Sequence, residues 1–347
     1  MKAIAVYQHL ATDHPNCFAE IELDKPQAQG RDLLVRVKAV GVNPVDYKVR
    51  ASIKEKLPTP KILGWDAAGI VEEVGEKTSL FQVGDEVYYA GSITRPGSNS
   101  EYQLVDERIV GNKPSNLSFE EATALPLTTI TAWEALFERL EVEPSKTANN
   151  QKSTLLIING AGGVGSIAIQ LAKQVAGLQV IATASRGDTV RWCRQLGADN
   201  CINHHEKLLN GLEKMDLSGV DYILCLNSTD QHWQNMAEVI KPQGKICSIV
   251  GNQSPLDLNL LKSKSVTFAW EFMFTKSQYH TDDIQSQGEL LNRVSQLVEQ
   301  GIIKTTFKEN LGVLNAANLA IAHKKLESGK TIGKLVLTGI ESKSFIN

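Results

Sequence analysis

Apolar and polar residues alternate with a period of two through Leu33–Val37, Gly69–Val74, Glu86–Ala90 and Ser100–Val105, the pattern of strands that bury one face. Up to about Leu127 the chain therefore predicts an antiparallel β domain. Beyond it, short apolar runs alternate with stretches of helical period. From Thr154 the expected order is strand 154–159, helix 164–175, strand 179–184, helix 188–196, a strand near 200–203, strand 221–226, helix 230–240 and strand 245–250. That order predicts an α/β protein with a doubly wound parallel sheet. Ser118-Phe119-Glu120-Glu121 is a capping box ahead of one long helical pattern through Ala132, Trp133, Leu136 and Leu140, placed to join the two parts. Two later helices are expected, one starting at Ser286 and one over 315–327. The apolar run Ser265–Trp270 reads as an edge strand, and an unpaired edge needs covering.

Gly160-Ala161-Gly162-Gly163-Val164-Gly165 lies between a buried strand and its helix. Gly160 permits a tight turn, Gly162 lets the backbone approach a pyrophosphate, and Gly165 lets the helix lie close on the strand. Gly163 and Val164 open the helix, whose first N–H groups meet phosphate charge. The arrangement implies a dinucleotide cradle. Where an NAD-binding protein places an acidic side chain against the ribose, the second strand ends in Ser185-Arg186. A hydroxyl and a planar guanidinium suit a 2′-phosphate, so NADPH is expected over NADH. Asp188 competes for the ribose, yet it reads better as the N-cap of the next helix.

At ~150 residues per domain, 347 residues suggest two domains. A net charge of −3 supplies no basic field, so no nucleic-acid partner is expected. The five cysteines, Cys17, Cys193, Cys201, Cys225 and Cys247, form no CxxC pair and fit reduced thiols and a cytoplasmic location. The apolar run at Met1–Val6 stops too early for a signal peptide, and Asn159, Gln170 and glycines interrupt the most apolar window. No membrane association is expected.

Several separated blocks resemble the medium-chain dehydrogenase/reductase superfamily, and within it the zeta-crystallin-like quinone oxidoreductases, including members called zinc-type alcohol dehydrogenase-like. They are Gly41-Val42-Asn43-Pro44-Val45-Asp46, Leu63-Gly64-Trp65-Asp66-Ala67-Ala68-Gly69, Val74-Gly75, Val83-Gly84-Asp85-Glu86-Val87, Ala124 to Trp133, Gly160 to Gly165, and Gly329-Lys330-Thr331-Ile332-Gly333-Lys334. The resemblance implies a GroES-like catalytic domain of residues 1–128 and 272–347, a Rossmann NADP-binding domain of residues 129–271, and an active site in the cleft between them. It also implies a homodimer through the Ser265–Trp270 edge.

Zinc enzymes of that superfamily use an early Cys and a His in a Gly-His-Glu block. Here those places carry Asn43 and Trp65-Asp66, and the stretch Tyr88 to Glu101, where a structural-zinc loop would fall, has no cysteine. Zn²⁺ needs thiolate, imidazole or carboxylate donors, so no metal is expected.

Without a Lewis acid, reduction of a quinone or an α,β-unsaturated carbonyl is easier than alcohol chemistry, because the charge spreads into an enolate that neutral donors can hold. By the resemblance, Asn43, Asp46, Tyr47 and Lys48 would face the nicotinamide, with Thr131 beside the cofactor. Asn43-Pro44 also reads as an N-cap, and Tyr47, Lys48 or solvent could supply the proton. Asn227-Ser228 would line the ribose, Val250-Gly251 the carboxamide, and Lys334 the 2′-phosphate end. Trp65, Phe272, Phe274 and Tyr279 are pocket-wall candidates. Two other readings stay open: a carbonyl or alcohol dehydrogenase with an atypical zinc site, and a non-catalytic NADPH-binding protein, structural or RNA-associated.

Overall fold

The computed structural model describes residues 1–340. Two compact units divide it, one of residues 1–127, 274–301 and 305 onward, the other of residues 128–273 and 302–304.

The first unit is built on the long strand Asp32–Val42, which pairs antiparallel with Ala67–Val74, Tyr102–Asp106 and Lys334–Thr338. Phe307–Val313 extends the sheet beyond Lys334–Thr338 as its one parallel pair among the described residues, and Glu86–Tyr89 and Val110–Asn112 extend it on the other side. A smaller antiparallel sheet joins Ala19–Glu22, Lys2–Val6 and Lys61–Ile62. The period-two alternation at Leu33–Val37 gives way to nearly continuous burial, with Leu33, Leu34, Val35, Ala39 and Val40 wholly enclosed. A strand flanked by neighbours on both sides and covered by the helix Phe119–Ala122 has no solvent face to keep polar.

The expected long helix after Ser118 is broken into Phe119–Ala122, Pro126–Trp133 and a π-helical stretch Glu134–Arg139. Its capping box forms: Glu121 N–H donates to Ser118 Oγ at 3.2 Å, and Ser118 N–H donates to the Glu121 carboxylate at 3.0 Å. The break falls before Pro126, which lacks an N–H and crowds the preceding turn.

The second unit is a six-stranded parallel sheet of Thr154–Ile158, Gln179–Thr183, Asn200–Ile202, Val220–Cys225, Ile240–Ser248 and Thr267–Trp270. In space they run third, second, first, fourth, fifth, sixth. The order reverses between the first and fourth strands, which is where doubly wound sheets open a crevice for a dinucleotide. Leu156, Ile223, Ile246, Trp233, Met236 and Leu261 lie in one core cluster with residues of the neighbouring helices. Three boundaries shift. The strand expected over 245–250 runs over Ile240–Ser248. The edge strand starts at Thr267 because Ser265 takes a φ of +52°, outside the extended region, and the helix expected over 164–175 is α-helical only over Gly163–Gln170 before a π-helical turn to Ala176. No helix among the described residues is long and apolar enough to cross a membrane.

Candidate active site

The glycine turn sits at the carboxyl end of Thr154–Ile158. Asn159 N–H donates to Thr183 Oγ1 at 2.8 Å and Gly160 N–H to the Thr183 carbonyl at 3.1 Å, so the turn is pinned to the second strand. The left-handed residue is Asn159, at φ +69°, and not Gly160. Gly160 is needed for a different reason: a Cβ there would lie 2.7 Å from Ala182 Cβ. At Gly165 a Cβ would meet the Gly160 carbonyl oxygen at 2.5 Å, which is the close helix-on-strand approach expected of it. Gly162 is the N-cap, and a Cβ on it would meet the Asn159 side chain at 3.2 Å and the Asn159 carbonyl oxygen at an ordinary 3.7 Å. In the first turn after it, Gly163 and Val164 present N–H groups that no helical carbonyl can reach.

Ser185 and Arg186 are exposed at the end of the second strand, and Asn227, Val250 and Gly251 lie after the fourth and fifth strands, along the same carboxyl edge. Asp188 is not the cap. Arg186 occupies the N-cap position of Gly187–Gln195, with its N–H donating to Thr189 Oγ1 at 3.1 Å, while Asp188 accepts from Thr189 N–H at 2.8 Å inside the first turn. The Arg186–Asp188 ion pair, at 3.3 Å, is exposed on both sides and is worth little. Sequence reading missed that His204 lies within the electrostatic reach of Arg186. Burial lowers the pKa of His204, and the charges of His205, His232 and Arg186 lower it further. The His204 and His205 rings are 4.3 Å apart.

The first unit holds a buried polar cluster. Asn43 is the N-cap of Pro44–Ser52 with Pro44 at the first helical position, but its side chain turns inward: Nδ2 donates to Asp66 Oδ2 at 2.8 Å. Lys334 Nζ donates to Asp66 Oδ2 at 2.8 Å, to the Val42 carbonyl at 3.1 Å and to Asn43 Oδ1. Asp66 Oδ1 accepts from Leu127 N–H at 2.7 Å. Burial raises the Asp66 carboxyl, and the Lys334 ammonium and these donors oppose the rise. The expectation that Lys334 serves the 2′-phosphate end is corrected. Its ammonium has three protons and three protein acceptors, and it is 3% exposed.

Asp46 is buried beside this cluster. One oxygen accepts from Asn43 N–H at 2.7 Å, and the other has no hydrogen-bond partner. Burial pushes its carboxyl up to about 7, against the pull of that N–H and of Lys334. On the same helix Tyr47 is half-buried and Lys48 exposed, and burial together with the Glu327 charge raises the Tyr47 phenol. Thr131 is buried within Pro126–Trp133. Of the aromatic candidates, Trp65 and Phe274 pack edge to face in the core at 6.0 Å, so they are not open walls. Phe272 and Tyr279 are exposed.

These residues do not fit a zinc ion. Asp66 has both oxygens occupied by protein donors, and a dication would have to sit against a buried ammonium. Among the described residues no three His, Cys, Asp or Glu side chains converge. The glycine turn, by contrast, fits a dinucleotide: its backbone is open at Gly162 and its helix start carries unclaimed N–H groups.

Residues 29–125 match the alcohol dehydrogenase GroES-like domain and residues 196–337 the zinc-binding dehydrogenase family. A zinc-type alcohol dehydrogenase-like protein of Staphylococcus epidermidis is 46% identical over 97% of this chain and 99% of its own. The 2-methylene-furan-3-one reductase of Solanum lycopersicum is 30% identical over 90% of this chain and 73% of its own. The Escherichia coli quinone oxidoreductase, solved in complex with NADPH, is similar with a TM-score of 0.80 at 25% identity, over 97% of this chain and 100% of that one. With its GroES-like unit, its parallel dinucleotide sheet and these relatives, the chain belongs to the medium-chain dehydrogenase/reductase superfamily of oxidoreductases, among the zinc-type alcohol dehydrogenase-like proteins.

Proposed function

We propose that this oxidoreductase is a zinc-independent, NADPH-dependent reductase of quinones or α,β-unsaturated carbonyls. The observation that carries the reading is Lys334 locked on Asp66 and Asn43, a fixed internal cation where a metal enzyme keeps open donors. Chemistry that develops a localised alkoxide needs a Lewis acid, whereas a conjugated alkene spreads charge that neutral donors can hold. When bound, the dinucleotide supplies the hydride. The backbone from Gly162 to Gly165 binds its pyrophosphate; Ser185 and Arg186 take the 2′-phosphate, and Thr131, Asn227, Val250 and Gly251 line the rest. Asn43 and Asp46 set the start of Pro44–Ser52, from which Tyr47 or Lys48 donates to the developing oxyanion. The likeness to the Solanum furanone reductase and the Escherichia quinone oxidoreductase supports this substrate class. A cytoplasmic homodimer joined at Thr267–Trp270 is part of the same proposal.

The decisive assay follows NADPH oxidation with a quinone, an enone and a saturated aldehyde, each with and without chelator. Turnover of the first two, unaffected by chelator, is expected. Activity confined to the aldehyde and abolished by chelator would overturn the reading, and tight NADPH binding without turnover would make the protein a binder. Arg186→Ala should weaken NADPH by about 1.5–3 kcal/mol, roughly ten- to a hundredfold in KM, and leave NADH almost unchanged. Equal losses for both coenzymes would remove the phosphate assignment.

A further inference from the structure

Cys193 lies on the helix Gly187–Gln195 and is wholly buried, while Cys201 lies on the strand Asn200–Ile202 and is partly exposed. Cys201 stands in register with Ala182 on the neighbouring strand, and a Cβ on Gly160 would meet both the Ala182 Cβ and the Cys193 sulfur, so the two cysteines flank one corner of the sheet. Cys201 Sγ is also 3.9 Å from the Val190 carbonyl, one turn before Cys193 on the same helix. The neighbouring Cys193 first, and the Arg194 guanidinium after it, draw the Cys201 thiol down against the effect of burial. The other three cysteines behave oppositely. Burial pushes up Cys17, Cys247 and Cys225, the last to about 11. Cys201 is therefore the more accessible thiol and the one whose ionisation its surroundings favour, and Cys193 is its neighbour.

The pair sits behind the dinucleotide cradle. Cys193 Sγ would be 3.2 Å from a Cβ on Gly160, so the sulfur is packed against that glycine. One residue earlier, Trp192 Nε1 donates to Ser166 Oγ at 2.8 Å, and Ser166 Oγ donates to the carbonyl of Gly162, the N-cap of the phosphate-facing helix, at 2.7 Å. The same helix begins at Arg186. A displacement of Cys193 is thus felt at Gly160, at Gly162 and at Arg186.

We propose that Cys201 and Cys193 form a peroxide-responsive dithiol whose oxidation to a disulfide weakens dinucleotide binding at the glycine turn. The Cys201 thiolate attacks hydrogen peroxide; the O–O bond breaks, an S–OH forms and hydroxide leaves. The Cys193 thiol then attacks the Cys201 sulfur, the S–S bond forms, and the displaced hydroxide is protonated. In sum two thiols lose two electrons and two protons, and one peroxide becomes two waters. A disulfide holds its sulfurs ~2.05 Å apart, closer than two unbonded sulfurs can approach. Whatever part of that closure Cys193 supplies draws its sulfur off Gly160 and pulls on its helix. The inference rests on dinucleotide binding at the turn and is independent of the substrate and of the NADPH preference.

The test treats the full chain with a small excess of hydrogen peroxide. The intact mass should fall by two hydrogens, a proteolytic digest should yield a Cys193–Cys201 linked peptide, and the Kd for NADPH by fluorescence titration should rise about tenfold, within the usual span for coupled sites. A thiol reductant should reverse all three. Cys201→Ser should show no link and no peroxide effect on Kd, while Cys193→Ala should gain oxygen on Cys201 without a link. Five intact thiols after treatment, a link that leaves Kd unchanged, or the same loss of affinity in Cys201→Ser would each overturn the proposal. The link is read by mass alone; reduced protein that binds neither NADPH nor NADH would overturn the cradle and, with it, the coupling.

Discussion

Asp66 and Lys334 form an ion pair without solvent, and such pairs are costly to break from one side. Lys334→Met should lose about 3–5 kcal/mol of stability in urea unfolding, because it leaves a buried carboxylate unpaired. The double variant Asp66→Asn with Lys334→Met should recover most of that loss. A single variant as stable as the parent would show that the pair does not hold the cluster. The type of residue at these positions was readable from the chain, but not the partnership, because 268 positions separate the two. Gly165 was legible for the opposite reason. Its role is set by Asn159 and Gly160, a few positions away, whose carbonyl oxygens would stand 2.5–2.6 Å from its Cβ. Arg186 could be read at its strand end, whereas its effect on His204 could not, because only the packed sheet brings the two together.

Elements of the parallel sheet were legible because each strand is a short apolar run with a turn or helix on either side, and the observed bounds fall close to the expected ones. The failures have local causes: Pro126 interrupts a helical period that otherwise continues, and the positive φ of Ser265 trims a strand. The glycine turn allows fold and binding to be separated within one element. Gly165→Ala drives a Cβ into backbone that cannot swing away, and should cost about 1–3 kcal/mol in thermal unfolding. Gly162→Ala makes its one tight contact with the Asn159 side chain, which can give way, so it should leave the melting temperature nearly unchanged while sharply reducing dinucleotide affinity. If both variants lost stability equally, Gly162 would be a packing residue and not a cradle.

At the scale of the molecule, Thr267–Trp270 pairs among the described residues only with Ile240–Ser248, and two aromatic side chains at its end stand exposed, Trp270 at 43% and Phe272 at 47%. An edge of this kind invites a second copy. Light scattering should give twice the chain mass, and Trp270→Lys should give a monomer; a parent protein already monomeric at micromolar concentration would contradict the assignment. The interleaved order of the chain has another outcome, for synthesis. Lys334–Thr338 pairs with Asp32–Val42, and Lys334 is the counterion of Asp66. At roughly 5–20 residues per second, the ribosome releases Asp66 tens of seconds before Lys334 is made. The parallel sheet can close while the earlier unit is still missing two strands, Phe307–Val313 and Lys334–Thr338. A nascent chain of this enzyme therefore spends that interval with its largest β-sheet open, which is when a holding chaperone would find it.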